Sequence, residues 1–171
     1  MLFIITGGTI DKQLVLKEDG VRFDHNSKVF EQSYVPKILS TARFNPEYET
    51  EQPFMIDSLD MTDSHRSEIV DAILRHPDEI RIVVTHGTDF MVQTAQYLQK
   101  ESRLRDKTIV LTGAMEPFCM QDKSDASFNL GMAVAYANSS KSGVYIAMSG
   151  QLFTPDNVYK DKANSIFRIN E

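Results

Sequence analysis

Leu2-Phe3-Ile4-Ile5-Thr6-Gly7-Gly8-Thr9 and Ile82-Val83-Val84-Thr85-His86-Gly87-Thr88-Asp89 are far apart in the chain and follow one plan. Each is a short, unbroken apolar run that ends in glycine and then presents a hydroxyl. An unbroken apolar run of that length is the pattern of a parallel strand buried on both faces. Side by side in one sheet, the two strands would bring Thr9, Thr88 and Asp89 to a single edge.

The rest of the chain fits around that pair. Thr108 to Thr112 and Val144 to Met148 are further apolar runs, and Phe54-Met55-Ile56 is a shorter one between Pro53 and Asp57-Ser58. Helical spacing lies between them. Val35, Ile38, Leu39 and Ala42 share a face, with Pro36 in a first turn. Ile69, Ala72, Ile73 and Leu74 follow a capping Thr62-Asp63-Ser64 and stop at Pro77. Met91, Ala95 and Leu98 face inward from a third helix, and residues 125–139 form a fourth, rich in small side chains. Strands alternating with helices predict an α/β fold, a doubly wound parallel sheet with helices on both faces. In such folds ligands sit beyond the carboxyl ends of the strands. Residues 11–33 are polar and aperiodic, with a turn signal at Asp19-Gly20. They read as a long loop or hairpin-like flap, a natural lid and the segment expected to be most mobile. Its charges, Lys12 among them, are expected to be solvated when it is open. The last twenty or so residues read as an irregular tail.

Composition narrows the function. The 171 residues fit one domain, 1–171, with enough apolar content to bury a core. A net charge of -6 with no Lys/Arg cluster argues against a nucleic-acid partner. The single cysteine, Cys119, allows no intrachain disulfide and reads as a small apolar filler. No run approaches the roughly 18 apolar residues of a membrane span, and the start lacks the pattern of a secretory leader. A cytoplasmic protein is expected. His25, His65 and His76 show no metal-ligand spacing.

Chemistry-bearing residues follow each strand. Gly7-Gly8-Thr9 come after the first, Asp57-Ser58-Leu59-Asp60 after the second, and His86-Gly87-Thr88-Asp89 after the third. Gly113-Ala114-Met115 come after the fourth, and Asp156 to Lys160 beyond the fifth. A threonine hydroxyl is a weak nucleophile near neutral pH and needs a base and a pocket that stabilises the electrophile. Glycines let the backbone approach a substrate and aim amides at a developing oxyanion. Each piece also has a plain structural reading. Thr6-Gly7-Gly8-Thr9 is equally a tight turn, without the spacing of a dinucleotide fingerprint or the lysine of a phosphate loop. Thr88 or Asp89 reads as a helix cap, His86 as a packed or capping histidine, Ser58 as a strand end, and Lys160 alone as a solvated lysine.

Taken together, the segments resemble the bacterial-type L-asparaginases. Thr-Gly-Gly-Thr-Ile at 6–10 is similar to the first signature of that family and Thr-His-Gly-Thr-Asp at 85–89 to the second. Asp57-Ser58-Leu59-Asp60-Met61-Thr62, Leu111-Thr112-Gly113-Ala114-Met115, Phe128-Asn129-Leu130 and Asp156-Asn157-Val158-Tyr159-Lys160 match further segments in order. The likeness runs from residue 2 to about 160 and points to the short, single-domain branch of the family. It implies hydrolysis of the side-chain amide of L-asparagine to L-aspartate and ammonia, without cofactor or metal, in a homodimer or higher homo-oligomer. By position, Thr9 is similar to the primary nucleophile. Thr88, Asp89 and Lys160 resemble the threonine–aspartate–lysine group that activates the nucleophile or water. Gly8, Ser58, Leu59, Gly87, Asp89 and Ala114 fall on substrate-binding positions, Ser58 at the α-carboxylate and Asp89 at the α-ammonium. Three departures stand out. The second domain of the family's usual form is missing here, which implies a weaker grip on the substrate unless another element replaces it. Leu59 replaces a glutamine common in the family and cannot hydrogen-bond an ammonium. Residues 11–33, where the family's flexible loop supplies a tyrosine, contain none.

Overall fold

The computed structural model describes residues 1–17, 20–23, 30 and 32–170. Its centre is a six-stranded sheet built on β1 (Leu2–Ile5), β4 (Glu49–Glu51), β5 (Arg81–Thr85), β6 (Thr108–Thr112), β7 (Gly143–Met148) and β8 (Gln151–Phe153), in the order β4-β1-β5-β6-β7-β8. The first five strands are parallel, and β8 turns back antiparallel against β7. Two hairpins stand outside it: β2 (Leu14–Lys17) with β3 (Gly20–Phe23), and β9 (Tyr159–Asp161) with β10 (Ile166–Arg168). The helices are α1 (Val35–Thr41), α2 (Asp63–Leu74), α3 (Met91–Lys100) and α4 (Ala126–Ser139).

Side-chain alternation along the strands splits the core into two layers. Leu2, Ile4, Ile82, Val84, Ile109, Leu111 and Ile146 face α2 and α3. Phe3, Ile5, Val83, Val110 and Ala147 face α1 and α4. The helices are therefore distributed over both faces, as the sequence predicts. Direction of travel and face occupied together give β6–α4–β7 the opposite hand to the other three crossovers, so the sheet breaks the near-uniform handedness of such connections once. Small side chains explain how α4 fits: Ala126, Ala133 and Ala137 press onto the sheet, while Gly131 and Ala135 look outward.

Three expectations need correction. The second strand is Glu49–Glu51, not Phe54–Ile56. From the latter stretch Ile56 alone makes a bridge, to Gly7. As the sheet's edge, β4 has mostly exposed side chains and no apolar signal to read. The terminal region is not irregular: it holds β8 and the β9–β10 hairpin, which packs Val158 and Phe167 into the core. Lys12 is not solvated but 5% exposed. The 11–33 segment does contain a hairpin. The mobility expected of that segment concerns in large part residues 18, 19, 24–29 and 31, which lie outside the described ones.

Chain direction fixes where a ligand belongs. From β1 the chain crosses to β4 on one side, and from β5 it crosses to β6 on the other. The switch point therefore lies between the carboxyl ends of β1 and β5, where a crevice opens. Gly7-Gly8-Thr9 and Gly87-Thr88-Asp89 leave the sheet there.

Candidate active site

Two backbones meet at unusually close range in that crevice. Gly8 has φ 83° and ψ -175°, a conformation open essentially to glycine, and a Cβ on it would overlap the backbone nitrogen of Gly87. A Cβ on Gly87 would in turn stand 2.6 Å from Ser58 Oγ. Glycine at both positions lets the turns after β1 and β5 touch each other and the turn that carries Ser58. Hydrogen bonds hold the three together. Thr6 Oγ1 donates to the Thr85 carbonyl at 2.7 Å, the Gly8 amide donates to the Ile56 carbonyl at 3.0 Å, and the Asp89 amide donates to Ser58 Oγ at 3.2 Å.

A cavity of about 470 Å³ opens over this junction. Thr9, Ser58, Leu59, Gly87, Thr88, Asp89 and Lys160 all line it. Thr9 begins a single 3-10 turn, Thr9–Asp11, and is half-buried. Lys160 reaches in from β9, where it sits opposite Phe167 of β10. Phe167 is buried and its amide donates to Ser149 Oγ at 3.0 Å, so the strand that carries the lysine is fixed from behind. Lys160 Nζ donates to Thr88 Oγ1 at 2.7 Å and lies 3.0 Å from Asp89 Oδ1, with Lys162 Nζ 3.8 Å from the same oxygen. Four of the residues singled out from the sequence (Thr9, Thr88, Asp89, Lys160) thus converge on one cavity from three separated segments.

Other expected contacts take different places. Gly8 and Ala114 are buried behind the cavity rather than on its wall, which Met115 and Glu116 complete. The loop bearing them is stitched by Asp125, which accepts from the Met115 and Glu116 amides at 3.0 Å each, and by Asn129 Nδ2, which donates to the Gly113 carbonyl at 3.1 Å. Leu59 stands at the rim, 60% exposed. His86 is fully buried with Nδ1 2.7 Å from the Gly87 carbonyl; burial pulls its pKa down to about 4, so it is a neutral packing residue. Tyr34 donates its amide to Asp11 Oδ1 at 2.7 Å and packs its ring against Phe118.

Sequence reading did not place Lys12 at the site, nor pair it with Asp57. Lys12 and Asp57 both line the cavity, and Lys12 Nζ lies 2.8 Å from Asp57 Oδ2. No spacing rule ties residue 12 to residue 57; the pair exists because β1 and the Ser58 turn meet. Among the described residues no group of three or more histidines, cysteines or carboxylates is arranged to hold a metal ion, and no helix is long and apolar enough to cross a membrane.

Fold and crevice together define an α/β protein with an open crevice at the switch point of a parallel sheet, the place where such folds take their ligands. The site is furnished with hydroxyls, carboxylates and lysines rather than a phosphate-binding loop. The profile of the family described as "Asparaginase, N-terminal" matches residues 1–169, and the chain belongs to that family. It is 33% identical over 120 residues to a probable periplasmic L-asparaginase of Haemophilus influenzae, covering 68% of this chain and 34% of that one. It is 30% identical over 148 residues to a glutamyl-tRNA(Gln) amidotransferase subunit of Thermococcus kodakarensis, covering 85% of this chain and 32% of that one. The fold superimposes on a probable cytoplasmic L-asparaginase from Campylobacter jejuni with a TM-score of 0.76 at 26% identity, covering 98% of this chain and 50% of the other. The chain therefore spans about a third of the length of these sequence relatives and half that of the structural neighbour.

Proposed function

We propose that the protein hydrolyses the side-chain amide of L-asparagine, giving L-aspartate and ammonia, with Thr9 as nucleophile. The observation that carries this reading is the Lys160 ammonium, 2.7 Å from Thr88 Oγ1 and 3.0 Å from Asp89 Oδ1, in the cavity that Thr9 also lines. Thr9 Oγ attacks the amide carbon, the C–N bond breaks and ammonia leaves with a proton. Water then cleaves the threonyl ester to release aspartate and restore the hydroxyl. Thr88, Asp89 and Lys160 hold and move the protons for these two attacks. Backbone amides freed by Gly87 and its neighbours face the carbonyl that acquires charge. Ser58 holds the α-carboxylate and Asp89 meets the α-ammonium. In this reading residues 1–171 act as one α/β domain in a cytoplasmic homodimer or higher homo-oligomer.

The likeness to an amidotransferase component supports a second reading, in which the chain is the ammonia-releasing part of a larger assembly. A domain that binds the amino acid without turning it over is the remaining alternative. Ammonia release from L-asparagine and L-glutamine by the purified protein, beside Thr9→Ala, separates them. Release that the substitution abolishes supports the amidase. Folded protein that releases none from either amide refutes it as a free-standing enzyme.

A further inference from the structure

Amide hydrolysis through Thr9, Thr88, Asp89 and Lys160 makes no use of the Lys12–Asp57 pair. Lys12 is 5% exposed, and its side chain and that of Asp57 are 6% and 13% exposed. Both line the cavity, so this is a buried ammonium on a ligand-facing wall and not a surface ion pair. Its position is fixed twice. The Lys12 amide donates to the Thr9 carbonyl at 3.1 Å, which closes the turn that begins with the nucleophile. Asp57 Oδ1 accepts from the Leu59 amide at 3.0 Å, which orients the carboxylate beside Ser58. The residue is thus tied to Thr9 through its backbone and to the Asp57-Ser58-Leu59 turn through its ammonium. Lys160 is committed elsewhere, to Thr88 and Asp89.

Burying a lysine in a ligand cavity costs desolvation, which an ion pair offsets only in part. A bound anion adds to the compensation. L-asparagine, the proposed substrate, carries one anion, its α-carboxylate, and Ser58 on the adjoining turn is the residue assigned to that group.

We infer that Lys12, held by Asp57, is a specificity residue that recognises the substrate α-carboxylate. The inference rests on the asparagine reading. It accounts for grip on the amino-acid end of a substrate at a site where Leu59 offers no hydrogen bond. Lys12 acts on binding and not on proton transfer: its ammonium is paired with the Asp57 carboxylate at 2.8 Å.

The test compares Lys12→Met, Lys12→Arg and the double variant Lys12→Met/Asp57→Asn with the unmodified protein. The double variant leaves no buried carboxylate unpaired, which guards against simple misfolding, and melting curves check each protein. Two readouts are used: ammonia-release kinetics on L-asparagine, and calorimetric binding of L-aspartate and of β-alanine, which is aspartate without its α-carboxylate. Lys12→Met and the double variant are expected to raise KM for L-asparagine and weaken L-aspartate by about 10- to 100-fold. They are expected to leave kcat within about threefold, because a contact made equally to substrate and transition state shows in KM alone. Binding of β-alanine stays weak and unchanged, and Lys12→Arg retains most of the affinity. A loss that falls on kcat with KM intact, an equal loss for β-alanine, or unchanged L-aspartate binding would overturn the inference. So would an unmodified protein that binds neither compound. Binding of L-aspartate that depends on Lys12, in a protein that releases no ammonia, would refute the proposed reaction while leaving the carboxylate site standing.

Discussion

The Lys160 ammonium donates to Thr88 Oγ1 at 2.7 Å, although the two residues are 72 positions apart in the chain. The contact exists because two unrelated packing arrangements agree. Thr88 is placed by the turn after the central strand β5. Lys160 is placed by a small hairpin outside the sheet, anchored through Val158 and Phe167 in the core.

Removing that ammonium isolates its role. Lys160→Met keeps the length of the stem, and the residue is already half-buried, so melting temperature is expected to change little. If Lys160 moves or holds protons, kcat for ammonia release from L-asparagine falls by about 10²–10⁴ while KM changes by less than tenfold. Steady-state kinetics read this directly. A rise in KM with unchanged kcat would make Lys160 a substrate contact instead.

A second prediction concerns the joint between the two motifs. Gly8→Ala places a methyl where the Gly87 backbone already lies and forces a non-glycine residue into φ 83°. Neither backbone can yield without breaking the Gly8–Ile56 hydrogen bond at 3.0 Å. A loss on the order of 3 kcal/mol or more is expected, measurable by denaturant unfolding. A variant of native stability would show that the crevice is far more plastic than its contacts indicate.

Why some of this was legible and some was not follows from burial. Strands β1, β5, β6 and β7 are apolar along their length because helices cover both their faces, and each is readable within a residue or so. Strand β4 is an edge of two glutamates and a threonine, paired on one side and mostly exposed. Nothing in its side chains distinguishes it from a loop. Strands β8, β9 and β10 are three residues each, too short for alternation to register. The site shows the same division. Thr9, Thr88 and Asp89 follow strands directly, so sheet topology alone brings them together. Lys160 was found through its resemblance to a family segment, not through any local pattern. Lys12 was missed because a lysine in a polar stretch looks solvated; its burial depends on Asp57, which only the tertiary fold supplies.

Leu59 gives a third prediction. Its side chain is 60% exposed, and the local turn is held by its amide, which donates to Asp57 Oδ1 at 3.0 Å. Leu59→Gln therefore leaves stability within about 0.5 kcal/mol. It adds a carbonyl oxygen able to accept from an α-ammonium. A several-fold decrease in KM for L-asparagine is expected, with no such gain for a substrate lacking the amino group, such as succinamate. Equal gains for both would point to a general change at the rim.

The last prediction uses two buried groups whose charges oppose each other. Burial raises the Asp11 pKa from 3.8 to about 6, against the hydrogen bonds from the Tyr34 amide and Ser33 hydroxyl. Between those values the folded protein binds more protons at Asp11 than the unfolded chain does, so this group makes stability fall as pH rises from about 4 to 6. Burial lowers the His86 pKa from 6.5 to about 4, so there the unfolded chain binds more protons and stability rises with pH over nearly the same window. Each shift corresponds to about 3 kcal/mol, and the two slopes largely cancel. Asp11→Asn keeps an oxygen for Ser33 and Tyr34 but cannot ionise. It is expected to match the unmodified protein near pH 4, to exceed it by up to about 3 kcal/mol at pH 7, and to become steadily more stable from pH 4 to 6.5 as the His86 slope is exposed. Denaturant midpoints across that range test all three points. A variant less stable at pH 7 would mean that the Asp11 charge is compensated in the folded state, and that this carboxylate secures the turn beneath Thr9 as an anion.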